Sequence, residues 1–111
     1  MNVVLYQIIP QDEGIRLLYN SLEYIKKSCG GKVPAEFYES VFSGEIEAQN
    51  LSEVYGIFNG KYPEGYKGRS MSVSDVLEII DSSGNSKFFF CDYMGYHEIS
   101  FEKESARRNA L

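Results

Sequence analysis

The last third of the chain constrains the fold most tightly. Residues 76–80 (VLEII), 87–92 (KFFFCD) and 96–101 (YHEISF) are apolar, β-branched or aromatic runs separated only by the turn-rich residues 81–86 and the tight 93–95. Parallel strands need crossover connections of roughly a dozen residues or more, so links this short leave an antiparallel three-stranded meander.

Upstream, residues 3–9 form a β-branched and aliphatic run stopped by Pro10, which reads as a strand inside the sheet. Asp12 is placed to cap a helix whose apolar positions Ile15, Leu18, Tyr19, Leu22 and Ile25 keep the helical period, with Lys26 and Lys27 near its end and Gly30 and Gly31 closing it. Residues 34–44 support two patterns. Pro34 can open a helix with Phe37, Tyr38, Val41 and Phe42 on one face, while Tyr38, Ser40 and Phe42 alternate as in a strand; a strand over 38–46 is the expectation. Asn50 with Glu53 has capping spacing, and Leu51, Val54, Tyr55 and Phe58 make one stripe of a short helix before Gly60. Residues 61–69 read as a loop crossing the domain. The order β-α-β-α-β-β-β defines an α+β fold with a mixed or antiparallel sheet, one domain over residues 1–101, and a polar, partly frayed tail over 102–111.

With 111 residues, 43% of them hydrophobic, and 9 Tyr and 7 Phe, the chain has enough apolar surface for one core. The opening residues lack the pattern of a signal peptide or membrane span, and Cys29 and Cys91 form neither a disulfide framework nor zinc-ligand spacing, so a cytoplasmic protein with reduced thiols is expected. A net charge of −5 disfavours direct contact with nucleic acid or anionic lipid. It suits a basic protein surface, and equally serves solubility.

Few residues carry chemistry. His97 is the single histidine; with Cys91 and Asp92 across a tight turn it gives a conceivable Cys-His-Asp site, set against the plainer reading of a surface histidine. Scattered carboxylates and one imidazole do not make a metal site, no glycine-rich phosphate loop follows a strand, and no cofactor is expected. Glu45, Glu47 and Glu53 read as a solvated face. Lys61, Lys67 and Arg69 interleave with Tyr62 and Tyr66 as on single-strand-binding surfaces, but Glu64 and the acidic total oppose that use. In residues 68–79 (GRSMSVSDVLEI), Ser70, Ser72, Ser74 and Asp75 are suited to bonding nearby backbone; the functional alternative is a polar rim with Arg69 as its anchor.

The same segment carries a family resemblance. Phe58–Asn59 and Pro63, then Gly68, Ser70, Ser72, Val73, Ser74 and Asp75, then Cys91-Asp92 with Gly95, resemble the YodL-like domain pattern, with Arg69 in place of an expected histidine and Tyr96 in place of phenylalanine. The resemblance implies a small Firmicute protein often encoded on conjugative elements, plasmids or phages, and it brings no catalytic residues. The resulting expectation is a non-enzymatic module that binds a host or element-encoded protein and modulates or inhibits it, using Asn59, Tyr62, Tyr66, Arg69, Ser70, Ser72, Ser74, Asp75 and Asp92. The alternatives are an enzyme built on Cys91, Asp92 and His97, and a single-stranded nucleic-acid binder. An exposed strand edge would pair two copies as readily as dock another protein.

Overall fold

The computed structural model describes residues 1–108. Strand β1 (Asn2–Ile8) occupies the middle of the sheet, between β2 (Tyr38–Glu45) and β3 (Val76–Ile80), and the full order is β5-β4-β3-β1-β2-β6. β4 (Ser86–Asp92) and β5 (Gly95–Ile99) complete the meander, and every pairing among β1 to β5 is antiparallel. β6 (Arg107–Arg108) pairs in parallel with Glu39 and Ser40 of β2, which makes the sheet mixed.

A central strand is buried on both faces, and β1 reads that way. Tyr6 and Ile8 point into one apolar cluster, Val3 and Leu5 into another. Helix α1 (Leu22–Ser28) contributes Ile25 to the first cluster, while α2 (Leu51–Ile57) contributes Val54 to the second, so the two helices cover opposite faces. Phe101 closes the first core, its ring 5.0 Å from Tyr6, 5.3 Å from Tyr38 and 5.5 Å from Phe88. A bulge between Leu5 and Tyr6 of the β1–β2 ladder leaves Val41 as the extra residue of β2.

The helix expected from Asp12 is instead two pieces. A 3-10 turn spans Asp12–Arg16, and α1 begins only at Leu22, capped by Ser21, whose hydroxyl accepts the Tyr24 N–H at 3.2 Å. Asp12 does not cap the turn; its φ is 51°, and Tyr19, at φ 65°, is left-handed and cannot continue a helix. Both alternatives over residues 34–44 contain part of the answer: Ala35–Phe37 form a single 3-10 turn and β2 follows from Tyr38. In the polar end, Lys103–Ser105 form another 3-10 turn and β6 pairs with the sheet, while residues 109–111 of the expected frayed tail lie outside the described residues.

Candidate functional site

The serine-rich segment folds back over β1 and is sewn to it by a buried polar node. Gln7 is 1% exposed on β1, and its amide is fully used: Oε1 accepts the Arg69 N–H at 2.9 Å, while Nε2 donates to the Arg69 carbonyl at 2.9 Å and to Asp75 Oδ2 at 3.0 Å. The same carboxylate oxygen accepts the Ser72 N–H at 3.0 Å. Tyr66 donates its hydroxyl to the Arg69 carbonyl. Burial pushes the Asp75 carboxyl up to about 7, against the lowering pull of the Ser72 N–H, the Gln7 amide and the Arg69 charge.

Most of the pattern's polar side chains bond within the fold, whether buried, as Ser74 and Asp75 are, or exposed, as Asn59 and Ser70 are. Arg69, expected as an anchor for a partner, donates from its guanidinium to the Ile8 carbonyl at 2.9 Å, and its buried Nε has no hydrogen-bond partner. Ser74 is buried, accepts the Tyr19 N–H at 3.1 Å, and offers its carbonyl to the Tyr38 hydroxyl at 2.6 Å. Asn59 ties the end of α2 to the loop by donating to the Tyr55 and Met71 carbonyls at 2.9 and 3.0 Å. Ser70 is exposed and bonds the Tyr62 hydroxyl. Tyr62 stacks on Tyr66 with ring centroids 5.5 Å apart, and Tyr66 packs in turn on Phe58. One face of Tyr62 is thus taken up by Tyr66, and Tyr66 is in ring contact with both Tyr62 and Phe58. Gln7 escaped the sequence reading because nothing local distinguishes it from a solvent-facing strand glutamine.

The Cys-His-Asp grouping does not assemble. Cys91 and Asp92 are adjacent on β4 and point to opposite faces; His97 lies on the Asp92 side, its Nε2 3.5 Å from Asp92 Oδ2. Cys91 is buried in the second core, and that burial, with the charges of Asp75 and Asp92, pushes its thiol up to about 12. Asp92 serves the fold instead: Oδ2 accepts the Leu22 N–H at 3.3 Å at the start of α1, and Oδ1 accepts the Tyr93 N–H at 2.8 Å. Among the described residues no group of three or more His, Cys, Asp or Glu is placed to hold a metal ion, and no helix is long and apolar enough to cross a membrane. Exposed carboxylates are spread over the molecule, from Asp12 and Glu13 through Glu23, Glu47, Glu53 and Glu64 to Asp81 and Glu98, and do not form one acidic face.

What the fold does present is the tip of the β4–β5 hairpin. Met94 is 93% and Tyr93 66% exposed, the highest values among the large hydrophobic side chains of the described residues. Gly95, at φ 100°, closes the turn. Tyr93 donates its hydroxyl to the Tyr19 carbonyl at 2.8 Å, which bolts the tip to the segment before α1 and sets half-exposed Tyr19 beside it.

Fold and site together define a small α+β domain in which a serine-rich crossing loop is locked to a central strand and a hairpin tip is held out to solvent. The chain belongs to the YodL-like domain family, whose model matches residues 2–101. Neither the curated proteins nor the solved structures hold a match to the chain.

Proposed function

We propose that the chain is a non-enzymatic, protein-binding accessory module acting in the cytoplasm of a Firmicute, encoded on a mobile element, that modulates or inhibits a host or element-encoded protein. Its contact surface is the β4–β5 end. The observation that carries this reading is the pair Tyr93 and Met94, projecting from a turn in which Tyr93 is held by Asp92 through its N–H and by Tyr19 through its hydroxyl. Tyrosine and methionine are enriched at protein interfaces, and a tip already held rigid loses little entropy on docking. The patterned serines, Asp75 and Asp92 support the reading from behind, by fixing the frame that holds the tip.

The test is affinity capture with the tagged chain, comparing wild type with a Tyr93→Ser/Met94→Asp double variant whose circular dichroism and melting match wild type. A stoichiometric partner recovered by wild type and lost from the variant is the expected result. Equal recovery by both removes the hairpin tip as the contact surface.

A further inference from the structure

We propose that the partner is engaged by strand addition, an extended segment with a basic side chain pairing along the free edge of β5; this rests on the reading of the β4–β5 end as the contact surface. The two edges of the sheet differ. The β2 edge is partly covered by β6, whereas among the described residues β5 has a strand on one side only, and its residues Gly95, His97 and Glu98 are exposed. A ladder uses the N–H and C=O groups of alternate residues, so half of those on β5 point away from β4 and are open to a further strand.

The edge leads into a groove. Ile99 and Ser100, at the end of β5, line a cavity of about 640 Å³ floored by Leu17 and Val33. Added strands gain affinity from main-chain bonds and specificity from pockets that take alternate side chains. A strand continuing the antiparallel order runs opposite to β5, so its residue facing Ile99 precedes the one facing Glu98. The first of these turns towards the groove and is apolar; the second lies on the opposite face, against Glu98, and is Lys or Arg.

Charge selects this occupant over a second copy. β5 carries Glu98 and no lysine or arginine, whereas the groove is balanced, with Glu13, Glu36 and Glu102 against Arg16, Lys26 and Lys32, so the selecting charge is Glu98 itself. A two-fold pairing of β5 with itself about His97 would set Glu98 against Tyr96, giving it no opposite charge, and bring together two chains of net charge −5. A basic side chain at that position meets the opposite charge of exposed Glu98.

The probe is a random dodecapeptide library displayed on phage, panned against the whole chain. Peptides carrying an apolar-basic pair should be enriched. On binding, the enriched peptides should shift the backbone amides of residues 95–99 in nitrogen-15 NMR spectra. They should lose roughly tenfold or more in affinity against Glu98→Lys, and Glu98→Lys should in turn select acidic residues at the second position. No enrichment, shifts confined to other elements, indifference to Glu98→Lys, or a dimer in sedimentation equilibrium protected along β5 would each overturn the proposal. If Met94→Asp abolishes capture of the protein partner while Glu98→Lys leaves it intact, strand addition falls and the hairpin-tip reading stands. If neither substitution reduces capture, both fall.

Discussion

Gly68 sits where the crossing loop comes closest to the sheet. A Cβ built there would lie 2.6 Å from the Tyr66 hydroxyl and 2.7 Å from both Gln7 Oε1 and Val41 Cγ2, so the loop reaches β1 only because this residue has no side chain. Gly68→Ala should therefore cost about 1–3 kcal/mol, measured as a lower urea midpoint at unchanged slope. At Asp75 the consequence depends on pH. A carboxyl held at about 7 in the folded chain, against roughly 4 unfolded, keeps its proton in the native state between those values. Its contribution is fully present below pH 4 and is lost as pH rises towards 7, with a slope of at most about 1.4 kcal/mol per pH unit. Asp75→Asn keeps an oxygen to accept from Gln7 and Ser72, so its stability, relative to wild type, should improve from pH 4 to about 7 and level off above. A wild-type-to-variant difference that stays constant across that range would mean that Asp75 is not protonated in the fold. The sequence marked Asp75 as a backbone-bonding residue, which it is. It could not reveal Gln7, because that partner lies 68 residues away and only the β1–β3 pairing brings the two together.

At the level of elements, the cap of α2 and the turns of the C-terminal meander were the most legible signals, whereas the cap expected at Asp12 did not form. Asn50 accepts the Glu53 N–H at 2.9 Å at the start of α2, as its spacing implied, and Asn50→Ala should lower stability by about 1 kcal/mol in thermal melts. The strands were legible for the same reason: β-branched and aromatic runs between turn residues have few alternatives. The misreading before α1 came from periodicity. Ile15, Leu18, Tyr19, Leu22 and Ile25 satisfy a helical stripe, yet Ile15 and Tyr19 are exposed, and the backbone reverses at Tyr19 so that Ser21 can start a new helix. The local clue was Ser21 itself, a good capping residue in mid-stripe, outweighed by the stripe. Asp92 joins elements that no local signal connects, holding the start of α1 and the hairpin turn at once. Asp92→Ala should cost about 1–2 kcal/mol and speed amide exchange at both Leu22 and Tyr93, where a change confined to one of them would show that the junction is not shared.

Across the whole molecule, the segment after Phe101 is held by a charge. Glu78, 1% exposed in β3, accepts from Tyr6 at 2.9 Å, from Ser86, and from Lys103 Nζ at 2.8 Å, which pins the segment after Phe101 across the first face of the sheet. Burial alone would raise the Glu78 carboxyl, but the bonds from Lys103, Ser86 and Tyr6 outweigh it and hold the group below its ordinary value. Its stabilising effect is present above the unfolded carboxylate range and fades as pH falls through the folded value, opposite in sign to that of Asp75. Lys103→Met should cost about 1–3 kcal/mol, less than a fully enclosed pair because Lys103 is partly in water, and should release the β6 pairing in hydrogen exchange. Exchange at residues 107 and 108 that stays at the wild-type rate would assign the anchoring to Phe101 alone.

The central position of β1 also sets a timetable. β1 leaves the ribosome before either of its partners and can pair with β2 once residue 45 is out, but its other edge waits for Val76, roughly thirty residues later. At bacterial or eukaryotic elongation rates that interval is on the order of seconds, during which an apolar two-stranded ribbon, bare on one long side, stands in the crowded cell before the rest of the sheet arrives to cover it.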